Sequence, residues 1–113
     1  MEIMKLFRQN CTKLNSNSSP LKPEEIDSYL SEVNSWSLVS KKYIEKNFVF
    51  KNFKESLHFI LRVSDIAEDE NHHPDISFGW GYAKITLFSH DLNGLHKNDF
   101  IIASKIDKLI EKN

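Results

Sequence analysis

The sequence contains five histidines, and three of them gather around one feature. His72 and His73 stand side by side ahead of Pro74, and His90 closes the hairpin that follows. Imidazole titrates near pH 6.5, so it can both take and give a proton at neutral pH. Glu68 lies one helical turn before His72, and Asp99 opens the last helix, after a loop that can carry it back to the same edge of the sheet. If the strands between His73 and His90 pair antiparallel, His90 returns to the edge that His73 left. These groups together have the composition of a general acid/base site. Three histidines and a carboxylate could also hold zinc, but consecutive His72 and His73 are awkwardly placed to chelate one ion, and no HExxH spacing or supporting cysteine accompanies them. A G-x-S-x-G nucleophile elbow is absent, and Gly79, Gly81 and Gly94 form no phosphate-cradling loop. His58 and His96 stand apart from the cluster and are read as ordinary surface or capping residues. Asp99, considered by itself, is a helix N-cap. Trp36 and Trp80 read as packing residues, though either could wall a flat heterocycle.

The elements that must position this cluster follow from periodicity. Residues 13–22 are polar and rich in Ser and Asn, which marks 1–19 as a flexible N-terminal arm. The folded unit then runs over 20–113. Ile26, Tyr29, Leu30 and Val33 recur at helical spacing, with Pro23 and three acids at the start, and predict a helix over 23–34. Short strands are expected at 36–39 and 43–50, joined by Ser40-Lys41-Lys42. Phe53, Leu57, Ile60, Leu61, Ser64 and Ala67 form one face of a long helix over 53–70. That helix ends in Glu68-Asp69-Glu70, acids where the macrodipole prefers cations, and a local violation of this kind invites a functional explanation. Strands at 76–78 and 82–89 flank Gly79-Trp80-Gly81. In the second of them Ala83, Ile85 and Leu87 face the core, while Tyr82, Lys84, Thr86, Phe88 and His90 face outward. A final helix spans 99–111. The order α-β-β-α-β-β-α predicts an α+β two-layer sandwich: a four-stranded antiparallel sheet with helices on one face. Tyr82 and Phe88 make the open face more apolar than solvent requires, as a self-association surface would be.

Composition limits the remaining possibilities. A 113-residue chain of net charge −1 is neither a nucleic-acid clamp nor a polybasic membrane anchor. No apolar run approaches the ~20 residues of a membrane span, and residues 1–10 are too charged for a signal peptide. The single cysteine, Cys11, can form neither an intrachain disulfide nor a thiolate metal site. These features point to a small cytoplasmic domain.

The motif Glu68, His72-His73-Pro74-Asp75, Ile85-Thr86-Leu87-Phe88-Ser89-His90, Gly94-Leu95 and Asp99 resembles the pterin-4a-carbinolamine dehydratase family. The resemblance extends over 20–110, with a tryptophan in the first strand and the aromatic run Phe48, Phe50, Phe53. It implies a four-stranded antiparallel sheet with helices on one face, joined into homodimers or homotetramers through the sheets. The implied activity is dehydration of 4a-hydroxytetrahydropterin to quinonoid dihydropterin, which recycles the cofactor of an aromatic amino acid hydroxylase. No metal or organic cofactor is implied.

By this resemblance His72 and His90 are the acid/base pair, and His73 orients the pterin and assists proton transfer. Glu68, Asp99, Pro74 and Trp36 are implied to bind or wall the substrate, Glu68 and Asp99 also steering an imidazole. Many members carry an aromatic residue where Ile76 stands and a smaller one at Phe88, so the pterin wall differs here while the proton-transferring groups are retained. Two other roles stay open. One is a protein-binding module, since some relatives are dimerisation cofactors of a transcription factor; the other is a dehydratase of a different pterin.

Overall fold

The computed structural model describes residues 4–111. Residues 1–3 of the expected arm and 112–113 of the expected domain lie outside the described residues. Helix α1 spans Pro23–Leu30, followed by strands β1 (Ser37–Val39) and β2 (Tyr43–Val49), helix α2 (Phe53–Glu70), strands β3 (Asp75–Gly79) and β4 (Tyr82–Leu87), and helix α3 (Lys97–Ile110). Short 3-10 turns occur at Leu6–Arg8 and His90–Leu92. The four strands form one antiparallel sheet in the order β1-β2-β4-β3. The fold is the α+β sandwich that the pattern of elements predicts.

Alternation along β4 is as expected, with Ala83, Ile85 and Leu87 fully buried against the helices and Tyr82 and Lys84 exposed. Ile44 and Phe48 continue this face on β2, and Phe100, Ile102 and Ile106 of α3 pack onto it with Phe59 and Val63 of α2. Burying a large aliphatic or aromatic side chain of this kind contributes about 1.5–3 kcal/mol, so this layer supplies most of the drive to fold.

Helix α1 is shorter than its apolar stripe suggests. It stops at Leu30, and Val33 is buried from the irregular turn that follows. Lys22 has no side-chain oxygen with which to cap α1; instead its N–H is accepted by the Glu25 carboxylate at 2.8 Å. Helix α2 has the expected span but a different inward face. Ser56, Phe59, Val63 and Ala67 are buried, whereas Phe53 and Leu61 are about half exposed. The apolar residues of α2 cover more than one stripe, and the small residues Ser56 and Ala67 are the ones that allow close approach to the layer beneath.

Residues expected to form a loose arm carry contacts that such an arm lacks. Leu6 is 3% exposed and joins the core cluster. The Lys105 ammonium donates to the Phe7 carbonyl, and the Cys11 N–H donates to the Glu70 carboxylate at 2.7 Å. Thr12 and Asn98 exchange two hydrogen bonds, Thr12 N–H to Asn98 Oδ1 and Asn98 Nδ2 to the Thr12 carbonyl. A single buried leucine and a few backbone bonds hold this stretch, which is why its polar composition concealed the docking.

Candidate active site

The site lies where α2, β3, β4 and α3 meet at one end of the sheet. Helix α2 is stopped by Asn71, which adopts the left-handed conformation (φ 51°) and lets its own N–H and that of His72 donate to the Ala67 carbonyl. Asparagine is one of the few residues that tolerate this conformation at a helix end. The chain therefore leaves the helix sharply at His72, and Pro74 leads it into β3.

His72 is mostly buried, and its Nε2 lies 2.7 Å from Asp99 Oδ1. Asp99 is completely buried and also accepts from Ser89 Oγ–H at 2.7 Å and from the His96 N–H at 3.0 Å. An ionised carboxylate can only accept, so pairing with an ionised Asp99 places a proton on His72 Nε2, and in the neutral ring the free lone pair is then on Nδ1. Asp99 is not the N-cap that its position suggests. It sits at the third helical residue of α3, and His96 is the cap, with Nδ1 accepting the Asn98 N–H at 3.0 Å. Asp99 closes the reciprocal half of the capping box and keeps its other oxygen for His72.

His73 is half exposed, and its Nε2 lies 2.5 Å from Glu68 Oε2. Two of the three acids that close α2 thus have partners that offset the unfavourable dipole. Glu68 meets His73, while Glu70 meets Lys105 at 3.4 Å and the Cys11 N–H. Glu68 lies one helical turn before His72, but the turn at Asn71 brings His73 to it.

His90 follows β4 and is largely exposed, with its ring edge-on to Phe88 and its Nε2 4.0 Å from Asp75 at the start of β3. Antiparallel pairing of Asp75 with Thr86 brings the exit of β4 back beside the entry of β3. The structure thus gathers His72, Asp99, Glu68, His73, Pro74 and His90 at one end of the sheet. Trp36 is not part of this group. It is buried just ahead of β1, stacks edge-on against Phe48, and donates its indole N–H to Asp107 at 3.0 Å. Its observed contacts are those of a core residue with a satisfied polar handle, not those of a wall beside the histidines.

One member of the network escaped the sequence reading. Ser89 is 1% exposed, and it occupies the same buried parity as Ala83, Ile85 and Leu87. A hydroxyl at a core position signals a buried partner, here Asp99. His96, read as an ordinary capping residue, does cap α3, and it stands beside Asp99. Burial pushes its pKa below the ordinary histidine value, Asp99 opposes that shift, and His72 and Lys97 add to it.

A cavity of about 540 Å³ opens beside His72, bounded by Glu70, Asn71, Asp91 and Asn98 and by the N-terminal segment. This volume falls in the ~300–1,000 Å³ range of small-molecule sites. His72 lines it, whereas His73 and His90 stand outside its lining. Among the described residues, no group of three or more His, Cys, Asp or Glu side chains is arranged to hold a metal ion. No helix among them is long and apolar enough to cross a membrane.

Comparison with known proteins identifies the family. The family model described as pterin 4 alpha carbinolamine dehydratase matches residues 19–109. The chain belongs to that family. A Rubrobacter xylanophilus relative, provisionally named pterin-4-alpha-carbinolamine dehydratase, is 41% identical over 92% of this chain and 97% of its own length. A provisionally named relative from Methylococcus capsulatus is 40% identical over 96% of each chain. Among solved structures, a Brucella melitensis protein described as a transcriptional coactivator/pterin dehydratase superposes with a TM-score of 0.78 at 26% identity. The match covers 82% of this chain and all of that one. A pterin dehydratase-like protein described as a RuBisCO assembly factor of the alpha-carboxysome has a TM-score of 0.60 at 26% identity, covering 71% of this chain and 94% of its own. The solved structures similar to this chain thus include proteins described by roles in assembly and transcription as well as by pterin dehydration.

Proposed function

We propose that this dehydratase-family chain converts 4a-hydroxytetrahydropterin to quinonoid dihydropterin and water, by proton transfer between histidines. The observation that carries the reading is the buried Asp99–His72 pair, which fixes one imidazole with Nδ1 free beside a cavity of ligand size. In the reaction His72 Nδ1 takes the proton from N5 of the pterin. The N5 electron pair forms the C4a=N5 double bond as the C4a–O bond breaks. The departing hydroxyl takes a proton from His90 and leaves as water, and exchange with solvent resets both rings. Each positioned proton transfer contributes roughly 10²–10⁴-fold.

His73, oriented by Glu68 through the 2.5 Å contact, binds the pterin, and Pro74 fixes the turn that presents both rings. Such a reaction calls for no redox partner, because no atom changes its overall oxidation level when water is lost. It serves a tetrahydropterin-dependent hydroxylase, in the cytoplasm, from a homodimer or homotetramer. The exposed Tyr82 and Val49, paired on the open face of the sheet, support self-association. The test is the decay of the 4a-carbinolamine absorbance after a phenylalanine hydroxylase turnover. Decay faster than the spontaneous rate on adding the protein supports the reading, and an unchanged rate with folded protein overturns it.

A further inference from the structure

The cavity beside His72 has a wall from outside the stretch that matches the family model. That match begins at residue 19, while Cys11, Thr12, Lys13 and Leu14 line the cavity together with His72 and Asp91. The wall is pinned rather than draped. Cys11 is tied to Glu70 at the end of α2, and Thr12 to Asn98 in the first turn of α3 by a reciprocal pair of hydrogen bonds. All of these ties to Thr12 use its backbone, so its hydroxyl takes no part in docking the segment. The side chains of Thr12, Lys13, Asn71 and Asp91 are exposed at the cavity and supply both donors and acceptors.

We infer that residues 11–14 read the substituent at C6 of the pterin, and that Thr12 and Lys13 favour one bearing hydroxyl groups. The inference rests on the proposed dehydratase reading for its placement of the ring. In a pterin C6 is bonded directly to N5, so a ring set with N5 against His72 Nδ1 carries its C6 substituent into the space next to His72. That space is bounded by the N-terminal segment. A hydroxylated chain finds polar partners there, whereas a methyl group leaves them to water and gains nothing.

The test compares two ligands that differ only at C6, a dihydroxypropyl and a methyl group, with the wild-type chain and a Thr12→Val/Lys13→Ala variant. Both replaced side chains are exposed, and Thr12→Val leaves the backbone ties intact. Turnover is followed as carbinolamine decay, and binding by calorimetry with the two 7,8-dihydropterins. The wild type is expected to prefer the dihydroxypropyl ligand in both KM and Kd. The variant is expected to lose about tenfold of that preference, the worth of one or two hydrogen bonds. An equal preference in both proteins, or none in the wild type, overturns the inference while leaving any measured turnover to stand. Selective binding that the variant loses, without turnover, upholds the wall and overturns the dehydratase reading. Binding of neither ligand overturns both.

Discussion

Replacing Asp99 with asparagine probes the network at its centre. The carboxylate accepts three hydrogen bonds from a position with no solvent access, one from His72 on Oδ1 and two, from Ser89 and His96, on Oδ2. An amide keeps one acceptor, which satisfies Ser89 and His96, and turns its NH₂ toward His72 Nε2. His72 must then give up its Nε2 proton and carry it on Nδ1, so that the ring offers a donor where the account needs a base. Hydrogen bonds to a charged group are worth about 1.5–3 kcal/mol each. With one inverted and two weakened, the variant should lose about 2–3 kcal/mol of stability, a fall in Tm of roughly 10 °C. It should remain folded at 15 °C, and there kcat should fall by about 10²–10⁴, the span expected for a wrong tautomer or a lost base. The assay is carbinolamine decay at 15 °C, alongside nitrogen-15 shifts that report which His72 nitrogen is protonated. A folded variant with His72 switched to Nδ1–H and kcat within about threefold of wild type would refute the reasoning.

Three further outcomes follow from the same geometry. His58 is exposed on α2, away from the cluster, so His58→Ala should leave kcat and KM as in the wild type in the carbinolamine assay; a large loss would mean that the site is misplaced. His96 has a folded-state pKa below its unfolded value of about 6.5, so the unfolded chain binds the extra proton more readily. Its contribution to stability is thus complete above about pH 6.5 and lost as pH falls through the folded value. His96→Ser, which keeps a capping oxygen, should show a smaller drop in denaturation midpoint between pH 7.5 and 5.5 than the wild type. Burial, with the Glu70 carboxylate adding to it, pushes the Cys11 thiol up to about 12. At pH 8 native Cys11 should react with iodoacetamide at least about a hundredfold more slowly than in the unfolded chain, because little thiolate is present; equal rates in a mass-spectrometric time course would show the N-terminal segment undocked.

The parts of the fold legible in the sequence are those where one pattern dominates. Strict alternation along β4 fixed its inward face, and the return of an antiparallel hairpin placed His90 beside the entry of β3. Where two patterns compete the sequence misleads. Helix α2 carries apolar residues on more than one stripe, and side-chain size, through Ser56 and Ala67, decides which stripe packs. Within the site, the histidines and acids were legible by type but not by pairing. Left-handed Asn71 swings His73, rather than His72, to Glu68, and a one-turn offset makes Asp99 the third residue of α3 instead of its cap. Trp36 illustrates the same limit. An aromatic side chain is equally suited to a core and to a pocket wall, and only the three-dimensional position of Asp107 shows which it joins. The docking of residues 4–12 rests on one buried leucine, Leu6, and on backbone groups tied to Glu70, Asn98 and Lys105, and such backbone ties carry no signature in the side-chain sequence.

The measurement that bears most directly on the central claim is carbinolamine decay with the His72→Ala/His90→Ala double variant beside wild type, after circular dichroism has shown both folded. Wild type is expected to accelerate the decay, and the double variant to return it to the spontaneous rate. Wild-type acceleration retained by the folded double variant would contradict the claim, because the protons would then be moved by other groups.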